Sequence, residues 1–375
     1  MKTHSAAYQT RAWHRFVVFL ATAMLQVLPA FGQASETKHW DLGLSTSDAD
    51  LSPDDGLLAV TSESRTAPQK AGAQIVEFLE VWDYRQHNKI ASRQLATYAV
   101  AGRRQNPIRF TADGSLLVAA EPTKVHVLDA KTLNPIRLIE PSLAQDFKIR
   151  IVETSPVGHV AIIAADEGVY GRLFAYDLDT GSLLLEWKPP AEVRSISWKP
   201  DGTRFAVAAP FPCSSFGDNV IVFSANPWAH IQTLTARNAQ SLAFSNDRLY
   251  SVQTSFCKGS VFNRHLGMDV FDIHGWRRRG TIFLPQKDIH DSVSFAKGKL
   301  LANTGAVKTK YDWSDGTTLA SNTEAQFTIW EGEAQPVVFA SPPLSVSRGV
   351  SRLRLSRTGK MILFNPQHPQ VFQVP

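Results

Sequence analysis

One layout returns seven times along this chain, and it restricts the fold more than any other feature. Each copy has a short apolar strand, a turn marked by glycine or a polar pair, a nearly uninterrupted apolar strand, a connection, and a third strand ending near Asp or Trp. The clearest turns are Ser52-Pro53-Asp54-Asp55-Gly56, Thr111-Ala112-Asp113-Gly114, the segment ending at Gly158, and Trp198-Lys199-Pro200-Asp201-Gly202. Weaker copies follow, with markers at Asp247, Gly298 and Gly359. Where connections are short the markers stand 44 or 45 residues apart. A period of that length signals an architecture built from stacked, quasi-equivalent units.

The units read as β-structure. Asp-Gly supplies the positive φ of a tight turn. The run after it is almost wholly apolar, as in Leu116-Leu117-Val118-Ala119-Ala120, which suits a strand covered on both faces. The third strand alternates more, as in Val125-His126-Val127, so one side meets a more polar setting. Helical periodicity is absent after the N-terminal segment. A β-sandwich also has many short strands, but not a repeat this long with the same internal order. The seventh copy stops after its third strand, while residues 38–44 form a spare strand ahead of the first. Pairing that strand into the last unit closes the set and removes exposed sheet edges.

At these residues the chain resembles the WD40 family of β-propellers. The two Pro-Asp turns resemble its S-P-D-G turn, and Val81-Trp82-Asp83 its W-D strand end. Val125-His126-Val127-Leu128-Asp129 and Phe174-Ala175-Tyr176-Asp177 are closer to the YVTN repeats of exported bacterial propellers. The resemblance covers residues 38–375. It implies an all-β, seven-bladed β-propeller with four-stranded antiparallel blades and an N-terminal strand closing the last blade. It implies no single function, because this architecture hosts scaffolds, lactonases and quinone-dependent enzymes. The Gly-His element ahead of WD40 blades is missing, so that family's buried polar network is not expected here.

Residues 1–34 read as a secretory signal, and 35–375 as one propeller domain. Arg11 and Arg15 end a basic stretch, an apolar run covers 16–28, Pro29 breaks it, and small residues follow. Cleavage is expected after Gly32 or Ala34, giving a periplasmic or secreted protein. The pI of 9.1 does not point to nucleic acid. Without Lys2, Arg11 and Arg15, 36 basic residues face 34 acidic ones, a net of +2, too little to attract phosphate or anionic lipid. No later segment is apolar enough to span a bilayer, so no membrane insertion is expected after signal removal.

Function is expected on one face. In a propeller the connections between strands two and three share a face with those between blades. The long insertions fall there: 61–74, 209–219, 253–267 and 303–326. Long loops on a rigid scaffold are where recognition sits. Tyr311 and Trp313 are candidate anchors, with Lys308, Lys310, Arg264 and Lys258 around them. The expected function is a non-enzymatic, monomeric binding module for a protein or cell-envelope component. Cys213 and Cys257 stand 44 residues apart, in corresponding loops of adjacent copies. In an oxidising compartment that suggests a disulfide, contributing about 4 kcal/mol in the chain-entropy model.

The alternative is an enzyme of the lactonase or hydrolase type at the channel mouth. Asp288, His290 and Asp291 are weak candidates for a metal site or for acid and base roles. Ser255 and Lys258 match S-x-x-K, but that mechanism needs a helix to align them. Arg277-Arg278-Arg279 reads as a solvated turn. No P-loop, dinucleotide fingerprint, G-x-S-x-G or H-E-x-x-H occurs, and no cofactor is expected.

Overall fold

Short apolar strands separated by Asp- and Gly-marked turns fold here into four-stranded antiparallel sheets. The computed structural model describes residues 39–42, 46–65, 74–99, 106–168, 170–210, 217–236, 238–253, 267–283, 293–306, 322–323, 325–331, 337–340, 344–345, 353–364 and 369–374. Among these, seven sheets of four strands and one two-stranded ribbon occur, and every regular element is a strand. Six sheets take their strands in chain order, from residues 46–99, 108–139, 148–187, 195–236, 239–283 and 293–340. The last combines Leu353–Leu355, Met361–Phe364 and Gln370–Gln373 with the N-terminal strand His39–Asp41. Its register pairs His39 with Phe372, Trp40 with Val371 and Asp41 with Gln370. The spare strand therefore sits where the repeat layout requires it. Residues Lys38–Val374 cohere as one compact unit.

Burial falls from the second strand to the fourth, and this gradient explains the sequence pattern. Leu116–Ala120 is buried at every position, whereas the outer strand Pro135–Ile139 of the same sheet is buried only at Ile139. Both faces of a second strand meet neighbouring sheets, so no position is left for a polar side chain. Seven apolar clusters lie at the seams between consecutive sheets. Ala59, Leu79 and Val81 pack on Ile108 and Phe110, and the same pattern recurs to the final seam. There Ala49, Leu58 and Val60 of the first sheet meet Met361, Leu363 and Val371 of the last. The seam between the third and fourth sheets is the most aromatic. Phe205 stacks on Phe223 at 4.8 Å between ring centroids, with Trp198 5.0 Å from Phe205. Each fully buried Leu or Phe contributes about 1.5–3 kcal/mol.

The turn residues have defined tasks. Asp83, Asp129, Asp177 and Asp272 end third strands, and each accepts backbone N–H groups from two or three residues on. The Asp of the Trp-Asp strand end is thus used to shape a turn. The next residue then donates its N–H to the turn between strands one and two, as in Tyr84 to Gly56 and Ala130 to Ser115, both 3.0 Å. This lock recurs in six sheets, down to Val374 and Lys360 in the last. In the first sheet the positive φ falls on Asp55, at 58°, and not on Gly56. Asp tolerates that region, and Gly56 instead gives its N–H to Asp54. Gly202 combines φ of +70° with a seam contact, since a Cβ there would lie 2.2 Å from Val157 of the preceding sheet.

Some expected connections are shorter than the sequence indicated. Thr61 to Arg65 and Asn303 to Ala306 extend the second strands, and Gln74 and Ala325 already begin the third strands. Apolar content ends before the strand does, because ladder hydrogen bonds continue through polar side chains. Arg277-Arg278-Arg279 is also not a turn. It opens the outer strand Arg277–Phe283, with Arg278 bound to Asp269 and Arg279 to Asp272. The turn itself is one step earlier, where Trp276 has a φ of 52°.

Candidate functional site

First strands have one edge paired within their sheet and one edge open toward the middle of the assembly. Open backbone N–H groups need partners, and neighbouring first strands supply them through side chains. Asp48 and Asp50 accept from the N–H groups of Ile108 (3.2 Å) and Phe110 (2.9 Å) in the next sheet. Ser195 and Ser197 do the same for Leu242 (3.1 Å) and Phe244 (3.0 Å). Ser241 accepts from Val293 at 3.1 Å and Ser294 from Leu355 at 2.9 Å. At these four seams a first strand is therefore latched to the next by side-chain acceptors.

In four sheets that register position carries charge, alternating in sign: Arg354 in the last sheet, Asp50 in the first, Arg109 in the second, Glu153 in the third. Arg109 is 1 % exposed. It binds Asp48 at 2.6 Å and Glu153 at 3.0 Å. Arg354 pairs with Glu153, 201 residues earlier, and reaches Asp50 at 4.0 Å. Arg357 spans the same gap, donating to Thr154 Oγ1 at 3.0 Å and to the carbonyl of Phe110 at 3.2 Å. The last and third sheets are not neighbours in chain order, so these bonds cross the interior between first strands.

The electrostatics follow from burial set against pairing. Burial disfavours the charged form of Glu153, but Arg109 and Arg354 outweigh it and hold the carboxyl down at about 2. Burial likewise opposes the Arg109 cation, and Asp48, Glu153 and Asp50 more than compensate, so it stays charged. At Asp50 burial wins, raising it despite Arg109 and Arg354. Three arginines and three carboxylates make a balanced cluster suited to holding sheets together.

A second constellation lies among the turns. His159 Nδ1 is 2.8 Å from Asp179, and its Nε2 is 3.1 Å from Asp113 and 3.4 Å from Ser115 Oγ. The arrangement resembles a Ser-His-Asp triad, but a triad base needs a free Nε2 lone pair facing the serine. Here Asp113 takes that side. The hydrogen bond that His159 donates to Asp179 raises the imidazole above its ordinary value, with Asp113 adding to the effect. The group clasps the second and third sheets together.

The residues singled out from sequence, Lys258, Arg264, Lys308, Lys310, Tyr311 and Trp313, with Asp288, His290, Asp291, Cys213 and Cys257, lie outside the described residues. Their flanking strands are described. Ala208 pairs with Val220, Val252 with Met268, and Ala306 with Ala325. Antiparallel alternation makes all these connections, and those between sheets, leave from one face. On that face the ribbon pairs Asn322 with Ser345 and Thr323 with Leu344, tying the longest insertion to the connection into the last sheet. Among the described residues no three His, Cys, Asp or Glu are grouped to hold a metal, and no helix is long and apolar enough to cross a membrane.

The inner network was missed at the sequence level, although a signal for it exists. Asp50, Arg109, Glu153, Ser197, Ser294 and Arg354 place a polar residue in first strands at a matched register. Attention to the apolar members of each copy hid the polar one.

Sheets stacked side by side, first strands inward and outer strands exposed, define a β-propeller with four-stranded antiparallel blades. Solved structures agree. The chain superposes on a chain of the Mitotic Checkpoint Complex with a TM-score of 0.60 at 14% identity, covering 93% of this chain and 94% of that one. It matches the Dos1 propeller with a TM-score of 0.55 at 12% identity, covering 90% and 94%. A chain of Kuenenia stuttgartiensis hydrazine synthase gives 0.54 at 16% identity, covering 71% and 76%. At these identities the likeness is one of fold. No protein-family model matches the chain, and no curated protein matches it in sequence.

Proposed function

We propose that this chain is an exported, seven-bladed propeller that binds a protein or cell-envelope component through its long-loop face. The observation that carries the reading is the division of labour between the faces. Turn residues on one face are bonded to each other blade after blade, whereas the opposite face carries the four long insertions and the ribbon that ties two of its connections together. Seven sheets with seven apolar seams, the final one joining last to first, support the count of blades. The solved neighbour from the Mitotic Checkpoint Complex is a propeller within a complex, which favours a protein partner for this chain. Aromatic side chains at such a face supply large contact area at low entropic cost, which makes Tyr311 and Trp313 the expected anchors, with Lys308, Lys310, Arg264 and Lys258 as the polar rim.

The test compares full-length protein with Tyr311→Ala/Trp313→Ala, immobilised and exposed to solubilised envelope proteins. A partner held by the parent and weakened at least tenfold by the double variant, but unaffected by Arg85→Ala in the turn that Asp83 shapes on the other face, supports the reading. Retention by the double variant overturns it. Turnover of an ester or lactone lost on His290→Ala would place the chain among propeller hydrolases instead.

Export and the bridge between Cys213 and Cys257 belong to the same reading and share one measurement. The intact mass of protein recovered from the envelope fraction is expected to lack residues 1–32 or 1–34 and to be two hydrogens short of the dithiol form. Full length, or two thiols that alkylate without reduction, contradicts it.

A further inference from the structure

Glu77 is fully buried between the first two blades and makes no bond to the arginines of the inner network. Its carboxyl accepts hydrogen bonds from Ser47 Oγ at 2.9 Å and from the side-chain amide of Asn106. Ser47 lies in the first strand of blade one and Asn106 stands two residues before the first strand of blade two, so this carboxyl joins the blades at their seam. Ser47 also shares a 2.6 Å hydrogen bond with Thr61, which in turn receives the N–H of Asp48 at 2.9 Å. The charged and titratable groups around it are mostly acidic. Glu63 is its register partner on the adjacent strand and accepts from Tyr98 at 3.3 Å. Glu121 approaches from blade two, where it holds His126 at 2.6 Å. None of the cations in the inner network is among the groups that act on Glu77.

We propose that Glu77 is a proton-operated latch on the seam between blades one and two, closed when its carboxyl is protonated and loosened when it ionises beside Glu63 and Glu121. The physical basis is the cost of a buried charge without a cationic partner. Protonated on Oε1, Glu77 donates to Ser47 Oγ, whose own proton turns to Thr61 Oγ1, while Oε2 keeps the bond from Asn106, so the seam holds a neutral hydrogen-bonding group. Ionised, it places a third carboxylate in a cluster that already has two. Burial is the largest influence and raises the group to about 7, against the hydrogen bonds from Ser47 and Asn106, with Glu63 and Glu121 adding to the rise. The strand ends held by this latch lead into connections 66–73 and 100–105 on the long-loop face. The device would make that face responsive to acidity near neutrality, whatever it binds.

The direction of the effect is fixed by linkage. A group raised from 4.5 in the open state to about 7 in the closed state favours closure fully below 4.5 and loses that contribution as pH rises to about 7. Opening of the seam should increase about tenfold per pH unit across that window and then level off. Amide hydrogen exchange of residues 46–51 and 106–110 in the full chain, corrected for intrinsic base catalysis, reads this directly. The parent should show the rise and Glu77→Gln should show none, with protection in the variant staying high at pH 8. Infrared detection of a protonated carboxyl band that disappears near pH 7 provides a test in the parent protein alone. A flat exchange profile in the parent, the same profile in Glu77→Gln, or no carboxyl band at pH 5.5 overturns the proposal.

Discussion

Arg109→Met is expected to destabilise the folded chain by about 3–5 kcal/mol at pH 7, the range for removing one member of a buried ion pair. The guanidinium is 1 % exposed and bonds Asp48 in the first blade and Glu153 in the third. Its loss leaves Asp48 buried beside an apolar side chain and leaves Glu153 with Arg354 as its nearest cation. Met fills most of the volume, so a cavity contributes little and the effect reports charge. Urea unfolding at pH 7 measures it, and a loss below about 1 kcal/mol would mean the network holds nothing together. Adding Asp48→Asn to Arg109→Met should recover part of the loss, because the carboxylate that Arg109 neutralised is then uncharged.

The same network predicts behaviour in acid. The folded-state carboxyl of Glu153 is held down at about 2, from 4.5. A depressed carboxylate contributes stability that is fully present above about 4.5 and is lost as pH falls toward 2. The Arg109→Met variant should lose less additional stability than the parent between pH 4.5 and pH 2.5. Its unfolding midpoint should therefore converge on that of the parent as the solution is acidified.

A chain beginning at residue 46 is expected to lose about 3 kcal/mol and to associate with itself. The N-terminal strand contributes three residue pairs to the last blade, at roughly 1 kcal/mol each net. Without it Gln370–Gln373 becomes an open edge, and the cluster around buried Val371 loses Leu42. An open edge above an apolar seam is a template for pairing with another copy. Denaturant titration with light scattering checks both effects, and a synthetic peptide of residues 38–45 added in excess should restore the midpoint. A truncated chain that unfolds with the parent's midpoint and stays monodisperse would show that closure rests on the apolar seam alone.

Much of the fold was legible because the hydrophobic pattern is redundant. Leu116–Ala120 and its counterparts are apolar because both faces are covered, and seven copies of that signal outweigh any single ambiguous segment. The closing strand was legible for a combinatorial reason, since one copy lacked a strand and one strand lacked a copy. Finer geometry was less accessible. Asp55 and Gly56 are both good candidates for a positive φ, and only the hydrogen bond from Gly56 to Asp54 decides between them.

What the sequence determined by itself, then, is the period, the radial grading of burial and the pairing of the two chain ends, because these depend on local hydrophobicity and on counting strands. Tertiary structure alone decided which polar side chains meet. Arg354 and Glu153 are 201 residues apart, and no local pattern ties them together. They touch because first strands of different blades converge on a common interior, where distance along the chain stops measuring distance in space. Glu77 follows the same logic: its neighbours on the strand do not reveal that Asn106 of another blade bonds its carboxyl.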